Sequence, residues 1–179
     1  MRVILLRHGR AGNPDPDQWP NDLDRPLTQG GVKRLKKAAR GLAQAGKPDR
    51  VYASKATRTR QTARVMEEDG GWPAAKPAGF LADGVEPKDV TKKMNKLHER
   101  GVQHVALVGH EPQLSALASY WLTGEPFNNG SSLKKGAAAS IDYHPQPGGS
   151  HLEWMMPAKA LARMKKVSSF TENGIAIST

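Results

Sequence analysis

The chain has 179 residues, enough for one domain to bury a core without covalent staples. It contains no cysteine, which excludes disulfides, thiolate metal sites and cysteine nucleophiles. Lys and Arg number 27 against 17 Asp and Glu, and the formal charge of +10 favours anionic partners such as a phosphorylated substrate, an acidic protein surface or nucleic acid. No run of about 18 apolar residues occurs, so no membrane span is expected. The first residues lack a basic region followed by a long apolar stretch, and the expected location is the cytoplasm. Nucleic acid is disfavoured as a partner, because neither aromatic platforms nor a known binding motif accompany the charge.

In chain order, "RVILL" (2–6) reads as a buried strand. "TQGGVKRLKKAARGLAQAG" predicts a helix capped by Thr28 and stopped at Gly46, with Val32, Leu35, Ala38, Ala39 and Leu42 on its inner face. "DRVYAS" (49–54) is a short strand, followed by the helix "TRTRQTARVMEED", which ends at Gly70-Gly71. A third helix spans 87–101, with Val90, Met94 and Leu97 on one face. "HVALVG" (104–109) is an apolar strand, and "PQLSALASYWLTG" a helix with the stripe Leu114, Leu117, Ala118 and Trp121. "AAASIDYHPQPGGSHLEWMM" predicts two strands joined by a Pro/Gly-rich turn. The alternation implies an α/β three-layer sandwich with a mostly parallel central sheet flanked by helices. One domain over 1–179 is expected, with 167–179 either a loosely ordered tail or a small edge strand around Asn173-Gly174.

In such folds the loops after strand carboxyl ends gather into one crevice. The first strand ends at Arg7-His8-Gly9, the second at Ala53-Ser54 with Arg58 just beyond, and the strand 104–109 at Gly109-His110-Glu111-Pro112. Two histidines and two arginines therefore meet at one sheet edge. Guanidinium groups bind phosphoryl oxygens in a bidentate way. A neutral imidazole can attack phosphorus, and a second, protonated one can neutralise charge that builds on the equatorial oxygens. With that charge supplied by side chains, neither a metal nor a cofactor is expected. Gly9 allows backbone to approach a ligand closely.

"LLRHG", "SKATRTRQTA" and "LVGHEP", with "DRPLTQGG" (24–31) ahead of the first helix, resemble the motifs of the histidine phosphatase superfamily, whose fold is phosphoglycerate mutase-like. The resemblance covers about residues 1–160 and implies that His8 is the phosphorylated nucleophile. Arg7, Arg58 and His110 would complete the phosphate pocket. Lys55 stands where many members have Pro, and could add a cation at the rim. Only residues 69–103 separate the second and third motifs, too few for the inserted helical region with an acidic proton donor found in the mutases. The short build is similar to the small SixA-type phosphohistidine phosphatases, which act on signalling proteins.

Phosphohistidine expels imidazole, a better leaving group than an alkoxide, and so needs less help from a general acid. Asp83 and Glu86 are the candidates for a weak acid, and Glu111 a poorer one; each could equally be a loop or cap carboxylate. The loop 9–26 is too rich in Pro, Asp and Asn for regular structure and is expected to arch over the pocket. From it Arg25 could reach a phosphoryl oxygen or pair with Asp22 or Asp24, Asn13 could line the pocket, and Trp19 would pack the loop. His98, His104, His144 and His151 lack ligand spacing and read as structural.

The leading expectation is a phosphatase removing phosphate from a histidine phosphotransfer domain or a similar N-phosphorylated protein. The alternatives are a small-molecule phosphomonoesterase using Asp83 or Glu86, and, more remotely, a non-catalytic polyanion-binding module.

Overall fold

The computed structural model describes residues 1–126 and 132–164. The expected tail at 167–179 lies outside the described residues. β1 (Arg2–Arg7), α1 (Gln29–Leu42), β2 (Arg50–Ala53), α2 (Thr57–Gly70), β3 (Lys76–Pro77), α3 (Pro87–Glu99), β4 (His104–Gly109), α4 (Gln113–Thr123), β5 (Ala138–Asp142), β6 (His151–Met156) and α5 (Ala158–Leu161) follow in order. The strands form one sheet in the order β3-β2-β4-β1-β5-β6. The four from β3 to β1 run parallel, while β5 and β6 are antiparallel additions.

Strand alternation sorts the core into two layers. Val3, Leu5, Val105 and Leu107 face α3 and α4, packing with Val90, Met94, Leu114 and Trp121. Ile4, Leu6, Ala106 and Val108 face the other way, onto Leu35, Ala38, Leu42, Met66 and Leu161 of α1, α2 and α5. Because both faces of β1 and β4 are covered, their sequences are continuous apolar runs.

Helix limits follow local chemistry. The Thr28 hydroxyl accepts from the Gly31 N–H at 3.0 Å, a cap worth about 1 kcal/mol. α2 stops at Gly71, whose φ of 66° is left-handed, and its N–H returns to the Glu67 carbonyl. α3 begins with Pro87, which needs no intrahelical N–H there. Two elements carry no sequence signal: β3 is a two-residue edge pairing that includes a proline, and α5 is a single turn.

Candidate active site

β1 and β4 are adjacent and end level. Arg7 pairs with Gly109, and the His8 N–H donates to the Gly109 carbonyl at 3.1 Å. The next side chains, His8 and His110, therefore emerge together, with ring centroids 5.3 Å apart. β2 ends beside them, the Ser54 N–H donating to the Val108 carbonyl at 3.0 Å, and the first turn of α2 supplies Arg58. A cavity of about 230 Å³ is lined by Arg7, His8, Pro14, Arg25, Arg58, Asp83, His110, Glu111 and Lys135.

His8 is only 5% exposed, and its Nδ1 lies 2.7 Å from the Gly9 carbonyl. A carbonyl can only accept, so Nδ1 carries the proton and the neutral ring keeps its lone pair on Nε2. Burial, and then the charges of His110, Arg58 and Arg7, push the imidazole down to about 3, against the pull of the Gly9 carbonyl. His110 is pushed down to about 4, first by burial and then by Arg58, with Asp83 and Asp22 opposing. Its Nε2 lies 2.6 Å from the Ser54 hydroxyl, which is itself 3.1 Å from that of Thr59.

Gly9 does not line this cavity. It lies behind His8, donating its N–H to the Thr62 hydroxyl at 3.0 Å, and that hydroxyl donates to the Arg58 carbonyl at 2.7 Å. A Cβ on Gly9 would come within 2.3 Å of Leu35 Cδ1, a buried side chain, so the bare backbone is what lets α1 seat against this segment.

The arginines are held from behind. Arg7 donates from Nη1 to the Leu133 carbonyl at 2.6 Å. Arg58 donates from Nη1 to the Asp22 carbonyl at 2.7 Å, and its Nη2 lies 3.0 Å from Asp22 Oδ2. Arg25, 8% exposed, reaches Asp22 Oδ1 at 2.7 Å and the Gly12 carbonyl at 2.6 Å. Arg25 thus lines the cavity while it pairs with Asp22. Hydrogen bonding from Arg25, then the charges of Arg58 and Arg25, hold the Asp22 carboxyl below its usual range. Arg7 Nε, Arg58 Nε and His110 Nδ1 are buried without a hydrogen-bond partner among the described residues.

Other expected residues fall outside. Asn13 is exposed and absent from the lining, where Pro14 takes its place. Glu86 is exposed at the α3 N-terminus, also away from the cavity, so of the two candidate acids only Asp83 lines it. Glu111 lines it too, but its carboxylate accepts from the Ser115 hydroxyl at 2.8 Å and the Leu133 N–H at 2.8 Å. Lys55 is exposed and outside the lining. Sequence reasoning missed Lys135, which sits in the turn before β5 with no motif around it, and weighed Asp22 only as a partner of Arg25. Among the described residues, no group of three or more His, Cys, Asp or Glu is placed to hold a metal. No helix among them is long and apolar enough to cross a membrane.

Known proteins resemble the chain in sequence over residues 3–81 and in fold over most of its length. The model of the histidine phosphatase superfamily (branch 1) matches residues 3–81, from β1 past β3. No curated protein sequence matches the chain. Among solved structures, the protein histidine phosphatase SixA complexed with tungstate is 26% identical, with a TM-score of 0.78, covering 90% of this chain and 99% of that one. A SixA candidate from Agrobacterium tumefaciens is 24% identical with a TM-score of 0.70, covering 87% and 96%. The alpha-ribazole phosphatase of Shigella flexneri shares the fold at 18% identity and a TM-score of 0.67, covering 88% and 97%. Over residues 3–81 the chain matches the histidine phosphatase superfamily, and its fold is the phosphoglycerate mutase-like sandwich of the solved structures it resembles. It is a phosphatase of that class.

Proposed function

We propose that the chain hydrolyses phosphohistidine on a protein partner through transient phosphorylation of His8. The observation that carries this reading is the fixed tautomer of His8, which leaves Nε2 free to act as a nucleophile in a cavity shared with three arginines. In the first step Nε2 forms a bond to phosphorus while the substrate's P–N bond breaks, and the departing imidazole takes a proton from solvent. In the second step water attacks the phosphoryl group on His8, releasing phosphate and restoring the neutral ring. Arg7, Arg58 and Arg25 hold the equatorial oxygens. His110 takes up a proton as the dianion enters, because the anion opposes the burial and arginine charges that keep it neutral in the free site.

A departing imidazole suits a site whose lining carboxylates are an exposed loop aspartate and a glutamate engaged with Ser115 and Leu133. The likeness to a histidine phosphatase that binds tungstate, a tetrahedral oxyanion, supports the same reading.

Phosphate release is to be followed from a phosphorylated histidine phosphotransfer domain and from p-nitrophenyl phosphate, with wild type and His8→Ala. Preference for the phosphoprotein, with loss of about 10³-fold or more in the variant, is the expected result. A second reading, phosphomonoester hydrolysis with Asp83 as the acid, draws on the place of Asp83 in the lining. Preference for the ester, with a loss of about 10²-fold in Asp83→Ala, would replace the first reading by the second.

A further inference from the structure

A second and larger cavity, about 660 Å³, opens beside the first. Its wall includes Leu35, Gly136, Ala158 and Ala162, and its cations are Arg10, Arg34, Lys37, Lys135 and Lys159. No carboxylate among the described residues lines it. Lys135 borders both cavities, and Arg10 lies two residues beyond His8 along the chain. The Arg10 carbonyl accepts from the Thr28 N–H at 2.9 Å, which ties the start of α1 to the segment carrying His8.

The cations of this cavity differ from their neighbours on the same helix. Lys36 and Arg40 share Asp69 on another face of α1. Arg34 and Lys37, with Arg10, Lys135 and Lys159, are exposed and form no ion pair among the described residues. Burial, then the charges of Arg7, Arg25, Arg10 and Arg58, lower the Lys135 ammonium from its ordinary value, as expected where like charges crowd. So many unpaired cations in one concavity create a field that an anion relieves.

We propose that this second cavity receives an acidic segment of the phosphorylated partner protein, beside the residue whose phosphoryl group enters the smaller cavity. The inference rests on the phosphohistidine reading and names the surface chemistry of that partner. The smaller cavity has room for a phosphoryl group and an imidazole, so the rest of the partner must lie on the surface around it. The larger one offers apolar contact from Ala158 and Ala162, seated over the buried Leu35, with exposed cations above. That combination suits a mixed acidic and apolar protein segment, whereas a small ligand is usually fixed by buried, convergent polar groups. The chain's own segment after Met164 opens with Lys165 and Lys166, of the same sign as the cavity.

The test is the triple variant Arg34→Glu, Lys37→Glu, Lys159→Glu, which touches no residue of the smaller cavity. Its kcat/KM and that of wild type are measured on a phosphorylated phosphotransfer domain with acidic residues around its histidine, and on free phosphohistidine. The expected result is a loss of about 10-fold or more on the phosphoprotein, mostly in KM, with less than about 2-fold change on free phosphohistidine. The wild-type preference should shrink as salt rises toward about 1 M. An equal loss on both substrates, or no loss on either, overturns the inference. Wild type that hydrolyses free phosphohistidine but not the phosphoprotein overturns this inference and the protein-partner part of the proposed function, while leaving the phosphohistidine chemistry of His8 standing. Release from neither form overturns the phosphohistidine reading itself.

Discussion

The two neighbouring cavities are both basic, yet they treat their cations in opposite ways. In the smaller, every arginine has an internal partner: Arg7 the Leu133 carbonyl, Arg58 and Arg25 the Asp22 carboxylate. In the larger, all five cations are free of ion pairs among the described residues. A buried guanidinium tethered on one edge loses little freedom when an anion arrives, so its donors are placed before substrate binds. An exposed lysine or arginine stays mobile and hydrated, and contributes chiefly to encounter and orientation. Positive charge alone therefore does not preorganise a cavity for an anion; the tether does.

The sharpest way to break this contrast is Arg58→Lys. Lysine keeps the charge but cannot hold the Asp22 carbonyl and carboxylate while presenting a planar fork, and kcat/KM should fall by about 10²-fold. A loss below about 5-fold would mean that charge without geometry suffices.

A second prediction concerns pH. With the His8 imidazole pushed down to about 3, the nucleophile stays neutral well below the ordinary histidine value of 6.5. The acid limb of kcat/KM should then lie below about pH 5. An acid limb near 6.5 would show that burial does not govern His8. Stability carries the opposite sign. Below 6.5 the unfolded chain takes up protons that folded His8 and His110 refuse, until about 3 and about 4 respectively. Melting temperature should fall as pH drops through that window, and less steeply in His8→Asn.

The smallest effect is expected from Asp22→Asn. Asp22 is about half exposed, so its pairs are partly screened, but it is an internal anion competing with phosphate for Arg25 and Arg58. Product inhibition by phosphate should tighten by about 2- to 5-fold, while kcat falls by a similar factor as the tether is lost. Weaker phosphate binding would make Asp22 purely an organiser of the arginines.

What could be read from the sequence follows from the range of the interactions. β1, β4, α1 and the inner faces of α1, α3 and α4 were legible because their periodicity and caps are local. The convergence of Arg7, His8, Arg58 and His110 was legible because strand carboxyl ends share one edge in this architecture. Of the loop 9–26, the irregularity and the pairing of Arg25 with Asp22 were legible, and the rest was not. Its Asp22 meets Arg58 of α2 and its Pro14 lines the cavity, contacts with no sequence period. Asn13 was a reasonable polar candidate by position alone, and a shift of one residue gave the lining to Pro14; of the two acid candidates, Asp83 in the loop lines the cavity and Glu86 at the start of α3 does not. Lys135 enters from a turn that only the pairing of β5 with β1 brings to the site.

The place of β1 and β4 at the middle of the sheet has a consequence for how the protein fails. His8 and His110 follow the two innermost strands, whereas the edges are a two-residue β3 and a largely exposed β6. Fraying begins at such edges, where few contacts resist it. The pair of imidazoles can keep its spacing while the margins of the sheet open and close, so thermal inactivation tracks collapse of the central strands rather than the first loosening of the molecule.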